Sequence, residues 1–291
     1  MTIKSKLNKD FNSECNNILI KNINIADTFN KKEFVSDILI EKGFIKSIAG
    51  NIKVPNPENL ENFFVSGDKK DKGILIEKPK LLIINGEGLF AAVSFIDMHV
   101  HLREPGDEDE ENIISGINSA YAGGITSLCC MPNTNPVIDS DYLVSYIKLK
   151  GASLNYNLYP VAAMTKQLEG VSMSEFGLLK NAGAIALSDD GKCVQDAKLM
   201  HEIMKYATMH EILLILHEED YSFSRYGYAN EGYYSTKLGI DGISSLSEEI
   251  MVSRDIMLAE QTGCTVHITH LSSARSVELI KNAKEKGLKI T

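Results

Sequence analysis

The chain has 291 residues, a hydrophobic fraction of 44%, a charged fraction of 24% and a formal net charge of −9. This length accommodates one large or two smaller globular domains. The negative charge argues against nucleic acid and anionic membranes as partners, because both bind basic patches. No apolar run reaches the roughly eighteen residues of a membrane span, and no apolar signal core follows Met1.

The five cysteines, at positions 15, 129, 130, 193 and 264, are odd in number and lack Cys-x-x-Cys spacing. This usage favours reduced thiols over a disulfide framework. We therefore expect a cytoplasmic protein.

Short β-branched runs near the N-terminus predict a small β-domain over residues 15–93. The runs, separated by Asn, Asp and Gly, are Ile18–Ile25, Asp37–Ile40 and Gly43–Ile48. This pattern is typical of an antiparallel sheet. Residues 54–80, rich in Asn, Pro, Lys and Glu, predict a polar surface insertion, after which Leu81–Phe90 resumes the strand pattern.

From Phe95 onward the pattern changes to an alternation of strands and helices, which predicts a parallel sheet or barrel. The predicted strands are Phe95–Leu102, Thr126–Met131, Tyr156–Ala163, Ala184–Ser188, Ile212–Leu216 and Cys264–Thr269. The predicted helices are Glu111–Ala122, Ser140–Lys150, Ser174–Asn181, Gln195–His210, Leu246–Gln261 and Ala274–Lys286. A seventh strand is predicted to begin at Leu288. Since a (β/α)₈ TIM-type barrel has eight units in about 250 residues, residues 94–291 are expected to form an α/β barrel that is incomplete at its C-terminal side.

Two histidines, His99 and His101, close the first strand of this region. Successive side chains on a strand alternate between its faces, so these two share a face. A pair of imidazoles at a strand end is half of a transition-metal site. The alternative interpretation is a pair of hydrogen-bonded histidines.

Further candidate ligands, Asp190, His217 and His270, follow the fourth, fifth and sixth strands, at the barrel end where active sites gather. Asp190 taken alone is more readily interpreted as a turn residue. His267 and His270 are three apart, so they face opposite sides of a regular strand. Placement at the strand end favours His270 as the ligand and leaves His267 to packing or a hydrogen bond.

The stretch Phe95–Gly106 resembles the signature of dihydroorotases, which belong to the amidohydrolase superfamily. The resemblance continues through Ala122–Thr126, Met131–Thr134, Ser188–Gly191, His217–Asp220, Asn230–Gly232 and His267–Ser273. It implies a metal-dependent barrel with a small β-domain.

By this resemblance the ligands of a one- or two-zinc site are His99, His101, Asp190, His217 and His270. An aspartate would take the place of the carboxylated lysine found in many relatives. Asp189 is chemically able to do the same, but the motif favours Asp190.

For the substrate carboxylate, the resemblance implies Arg103, with Asn133 as its amide partner. Arg103 shares a strand face with His101, and a guanidinium pairs bidentately with a carboxylate. The alternative for Arg103 is an ion pair with Glu104 or with the acidic run 107–111.

The implied activity is the zinc-dependent, reversible hydrolysis of (S)-dihydroorotate to N-carbamoyl-L-aspartate in pyrimidine biosynthesis. The resemblance places the general acid/base aspartate beyond Thr291, so we assign no catalytic residue and expect an incomplete enzyme. A homodimer or an assembly with aspartate transcarbamoylase is the expected partner arrangement.

Two other functions are compatible with parts of the sequence. Allantoinases and dihydropyrimidinases resemble the His-x-His strand, but they usually have a lysine at the Asp190 position and lack the Arg103–Gly106 run. A non-catalytic dihydroorotase-like subunit that binds aspartate transcarbamoylase would tend to lose the metal-binding histidines, which are present here.

Overall fold

The computed structural model describes residues 17–53 and 81–291. The chain forms two compact units, Met1–Val93 and Ser94–Thr291. The predicted insertion at 54–80 lies outside the described residues.

In the first unit, the described residues form one five-stranded sheet. Its strands are β1 (Asn17–Asp27), β2 (Lys32–Glu41), β3 (Phe44–Ala49), β4 (Leu82–Asn85) and β5 (Phe90–Ala92). The spatial order is β3-β2-β1-β4, and β5 also pairs with β1. Ile23, Ile25 and Ile38 form its buried core.

The expected antiparallel arrangement of the first three runs is present in β1, β2 and β3, and β4 and β5 add to β1 as parallel strands. Parallel pairing requires a long connection. The stretch from residue 50 to residue 81 between β3 and β4 provides that length.

The second unit contains a parallel sheet, which confirms the predicted α/β barrel architecture. The strands of this unit, in chain order, are β6 (Phe95–Val100), β7 (Ile125–Cys130), β8 (Asn157–Ala162), β9 (Ala186–Ser188), β10 (Leu213–Leu216), β11 (Ala229–Asn230), β12 (Gly242–Ile243) and β13 (Val266–Ile268). Of these, β11 and β12 pair only with each other, in a separate two-stranded ladder. Within the described residues the sheet has six strands in the order β13-β10-β9-β8-β7-β6. Ile290 adds a parallel bridge to Val266, where the seventh strand is predicted.

Helices connect these strands. Their bounds are α1 (Ile113–Gly123), α2 (Asp141–Ser153), α3 (Phe176–Ala182), α4 (Ala197–Met209), α5 (Tyr221–Ser224), α6 (Tyr233–Leu238), α7 (Leu246–Thr262) and α8 (Ala274–Glu285). The first begins where Asn112 Oδ1 accepts a bond from the Ser115 amide at 3.0 Å, and it ends at Gly124 with a φ of 81°. The short helices α5 and α6 lie in a Tyr- and Gly-rich loop and were not predicted.

The sheet separates two apolar clusters. On its inner face, the buried residues Cys129, Met131, Val161, Ala186 and Ile215 pack together. The outer face carries the larger core, in which Leu128 and Cys130 contact the helices. Because side chains alternate along each strand, this division fixes which residues point inward at the strand ends.

Among the described residues, no helix is both long and apolar enough to cross a membrane. The four cysteines in this part of the chain are buried free thiols.

Candidate metal centre

Four histidines surround the Asp190 carboxylate at the carboxyl edge of the parallel sheet. His99 Nε2, His217 Nδ1 and His270 Nε2 lie 3.2, 3.7 and 3.4 Å from Asp190 Oδ1. His101 Nε2 lies 3.3 Å from Asp190 Oδ2. The structure thus brings together all five residues that the sequence analysis named as ligands.

The register of the sheet explains how His217 reaches this cluster. Ile215, which packs on the inner face, pairs with His267 of the neighbouring strand. His217 follows Ile215 by two residues and therefore points inward. His267 also belongs to the inner face, and its Nδ1 lies 2.8 Å from Thr291 Oγ1.

His270 reaches the cluster through a break in the strand alternation. Its φ is 36°, in the left-handed region that non-glycine residues seldom occupy. On a regular strand the side chain of His270 would point away from the inner face, on which His267 lies. The turn at His270 redirects its side chain toward that face. His270 Nε2 then lies 3.0 Å from His217 Nδ1.

Two neighbouring side chains set the orientation of the imidazoles. His101 Nδ1 lies 2.8 Å from Asn133 Oδ1, and His217 Nε2 lies 3.1 Å from Glu219 Oε2. When a metal is bound, an N–H that donates to these oxygens would leave the other ring nitrogen, on the side of Asp190, free to serve as a ligand. This arrangement is common around histidines that bind metals.

The charge of Asp190 is stabilised by its histidine neighbours. Burial acts to raise the pKa of this carboxyl, but hydrogen bonds from His217, His270 and His99 outweigh burial and hold the pKa well below its usual range. Burial acts to lower the pKa of His217, and hydrogen bonds to Asp190 and Glu219 reverse that effect. The site therefore strongly favours an ionised Asp190.

The adjacent acid, Asp189, has different surroundings. Its carboxylate accepts hydrogen bonds from the Thr165 amide, at 2.9 Å, and from the Thr165 hydroxyl. Burial raises the pKa of Asp189 to about 6, against the effect of those bonds. Asp189 thus anchors the loop after β8, whereas Asp190 faces the histidines.

Arg103 forms an ion pair with Glu110 rather than a contact with the histidine cluster. Its Nε lies 3.3 Å from Glu110 Oε2, and Glu110 is 70% exposed. Arg103 therefore has the alternative partner considered above, a carboxylate of the acidic run 107–111. A pair so exposed contributes little to stability, so it is readily exchanged for another carboxylate.

The donor set fits a transition-metal ion. One ligand atom each from His99, Asp190 and His270 lies within 4.8 Å of the other two. Imidazole nitrogens and a carboxylate oxygen are the donors that Zn²⁺ accepts in catalytic sites. Asp190 presents one oxygen to His101 and the other to the remaining histidines, so both of its oxygens would be available to a bound metal.

Glu219 and a buried acidic pair, Glu218 with Asp255, were not identified as functional candidates from the sequence. Glu219 lies beyond the end of β10, where strand alternation no longer predicts side-chain direction, and only its spacing of two residues from His217 could have drawn attention to it. Asp255 of α7 is 1% exposed, and its carboxyl lies close enough to the buried Glu218 for the two groups to interact electrostatically. Burial and the nearby Asp255 raise the pKa of Glu218 well above its usual value.

Comparisons with known proteins identify the family and the fold. A family model described as "Dihydro-orotase-like" matches residues 90–276. The dihydroorotase of Acetivibrio thermocellus is 42% identical over 275 residues, which cover 94% of this chain and 59% of the relative. That of Pelotomaculum thermopropionicum is 43% identical over 255 residues, which cover 87% and 58%. The chain thus spans somewhat less than three fifths of the length of these relatives.

Among solved structures, the L-hydantoinase (dihydropyrimidinase) of Arthrobacter aurescens superposes with a TM-score of 0.69 at 18% identity, covering 94% of this chain and 57% of that one. The dihydropyrimidinase of Brevibacillus agri gives 0.62 at 17%, covering 94% and 56%. At this identity the likeness establishes the fold alone.

Proposed function

Because this chain belongs to the dihydro-orotase-like family, we propose that the protein is a zinc-dependent dihydroorotase of pyrimidine biosynthesis. The proposed reaction is reversible hydrolysis of the ring amide of (S)-dihydroorotate to N-carbamoyl-L-aspartate. The convergence of four imidazoles on Asp190 carries the proposal. A cytoplasmic location follows from this metabolic role.

In the proposed site, His99, His101, Asp190, His217 and His270 hold one or two zinc ions. When bound, zinc supplies Lewis acidity, which lowers the pKa of water and polarises a carbonyl oxygen. With zinc bound, Asn133 and Glu219 would accept the N–H of His101 and of His217, at the distances of 2.8 and 3.1 Å, and leave the opposite ring nitrogen of each as the ligand.

Substrate recognition is assigned to Arg103 and Asn133. Arg103 exchanges its exposed partner Glu110 for the carboxylate of dihydroorotate. A guanidinium–carboxylate pair is bidentate and directional, so it orients the ring as well as binding it. Dihydrouracil, which has the same ring without the carboxylate, lacks this anchor.

The test compares these two ligands on the purified, zinc-loaded chain by isothermal titration calorimetry. We expect dihydroorotate to bind about tenfold or more tightly than dihydrouracil, as a charge-assisted bond of roughly 1.5–3 kcal/mol predicts. Binding is measured before turnover because the chain spans 59% of a curated relative. Equal affinity for the two ligands, or a preference for allantoin or hydantoin, would contradict the proposal.

A further inference from the structure

An ion pair on α7, between the partly buried Arg254 and the buried Asp255, holds the loop that follows Asp190. Arg254 Nε and Nη2 donate to the two oxygens of Asp255 at 2.7 and 2.9 Å, which fixes the plane of the guanidinium. The remaining nitrogen, Nη1, donates to the carbonyl oxygens of Val194 and Gln195 at 2.8 and 3.3 Å. The helix thereby fixes the backbone a few residues beyond Asp190.

The same loop is tied to the segment that follows His217. Gln195 Nε2 donates to the Glu219 carbonyl at 2.8 Å, and Gln195 Oε1 accepts from the Tyr221 amide at 3.1 Å. From α7, the Ser247 hydroxyl donates to the Asp220 carbonyl at 3.0 Å. Movement of α7 therefore shifts the segments that carry Asp190 and His217 together.

The first turn of α7 binds the loop that carries His270. The two carboxylate oxygens of Glu248 accept hydrogen bonds from the amides of Ser272 and Ser273 at 2.8 and 3.0 Å. His270 lies two residues before Ser272, at its unfavourable φ of 36°. Such a conformation persists only where the surroundings hold it, and Glu248 provides two of the bonds that do so.

From these contacts we infer that α7 is the scaffold of the metal centre. Arg254 positions the Asp190 and His217 segments, and Glu248 positions the His270 loop. Neither side chain is assigned a contact with metal or substrate, so both are positioning residues. The inference rests on the proposed metal centre and adds to it the part of the fold that sets the ligand geometry.

This role is separable from general stability at Glu248. The side chain is half-buried, and its partners are amides of a loop rather than the apolar core. Met251, Val252 and Ala259 supply the buried packing of α7 and do not depend on it. A neutral amide of the same shape can accept only one of the two bonds, so Glu248→Gln loosens the loop while α7 stays packed.

The experiment titrates the apo chain with Co²⁺ and follows its visible absorption, which reports both affinity and coordination geometry. For Glu248→Gln we expect about tenfold weaker binding and an altered spectrum, as is typical when a contact supporting a metal ligand is lost. The melting temperature of the apo variant should match that of the wild type. Arg254→Lys keeps the positive charge but cannot donate two parallel hydrogen bonds to Asp255, and we expect it to weaken Co²⁺ binding as well.

The matched control is Glu278→Gln on α8, which removes the same charge from an exposed pair with Arg275 at 2.7 Å. It should bind Co²⁺ like the wild type. Wild-type affinity and spectrum in Glu248→Gln would overturn the inference, as would a loss of affinity that only follows a lowered melting temperature. A wild-type chain that binds no Co²⁺ would instead overturn the metal centre itself, and the scaffold role with it.

Discussion

At the scale of single residues, the adjacent acids Asp189 and Asp190 have separate roles. Asp190 faces four imidazoles, whereas Asp189 binds the amide and hydroxyl of Thr165. We predict that Asp190→Asn lowers zinc affinity more than about 100-fold, beyond the roughly 10–100-fold that loss of a supporting contact costs. The measurement is zinc content by plasma mass spectrometry after dialysis at defined free zinc.

The comparison variant is Asp189→Asn, which should retain zinc. Because one of its buried hydrogen bonds is compromised, its free energy of unfolding should fall by about 1–3 kcal/mol. Denaturant titration measures this change. Loss of zinc from Asp189→Asn, with retention by Asp190→Asn, would exchange the roles of the two acids.

Arg103 and Glu110 allow a second prediction at this scale. Arg103→Gln should abolish the preference for dihydroorotate over dihydrouracil, because no cation remains for the carboxylate. Glu110→Gln removes the competing anion of the 3.3 Å pair and should bind dihydroorotate at least as tightly as the wild type. Calorimetry with both ligands checks each variant. An unchanged preference in Arg103→Gln would remove this residue from the substrate site.

At the scale of elements, Glu104 connects the loop after β6 to the helices α1 and α2. This buried carboxylate accepts bonds from the Ile113 amide, the Tyr146 hydroxyl and the Lys150 ammonium at 2.9, 2.7 and 2.8 Å. Burial acts to raise the pKa of Glu104, but its hydrogen bonds, of which the one from Lys150 contributes most, outweigh burial and hold the pKa below its usual value. The ionised form is therefore the one that stabilises the fold.

A group with a lowered folded pKa stabilises at pH values above its unfolded pKa, and this contribution is lost as the pH falls through the folded value. We predict that Glu104→Gln costs about 1–3 kcal/mol of unfolding free energy at pH 7 and progressively less below pH 4.5. Urea titrations between pH 7 and pH 3 measure the difference from the wild type. Glu202→Gln, which removes an exposed pair with Lys205, should show little change at any pH. A cost for Glu104→Gln that stayed constant down to pH 3 would contradict this linkage.

Sequence patterns predicted the elements that depend on local periodicity. The alternation of strands and helices from Phe95 onward follows from buried strands and one-sided helices, and His99 and His101 share a face because strands have a period of two. Adjacent parallel strands end at the same edge, which is why Asp190 and His217 could be predicted to meet.

Sequence patterns could not predict the features that tertiary contacts determine. Periodicity gives no sign that β4 would pair parallel to β1, because strand partners depend on the path of the connection. Neither does it predict the φ of 36° at His270, which neighbouring loops impose. Charged helix residues are usually exposed, so the burial of Asp255 and the partial burial of Arg254 were not anticipated.

At the scale of the whole molecule, the candidate ligands come from the ends of four strands, β6, β9, β10 and β13, of the Ser94–Thr291 unit. An ion held by all of them binds the folded sheet but not the unfolded chain, so it stabilises this unit by mass action. At a free zinc concentration about 100 times the dissociation constant, the gain is about 2.7 kcal/mol, which corresponds to roughly 5–10 °C in melting temperature for a unit of this size. We predict that chelation lowers the melting temperature by this amount and that added zinc restores it.

Calorimetric scans with and without chelator measure this shift. Asp190→Asn should melt at the same temperature in both conditions, because it lacks the carboxylate on which the histidines converge. His201→Ala provides the matched control, since this histidine lies on α4 beside Glu202 and outside the cluster, and its variant should keep the full shift. Equal melting temperatures for the wild type with and without chelator would mean that no ion links these strand ends, whereas a shift that persisted in Asp190→Asn would place the ion elsewhere in the protein.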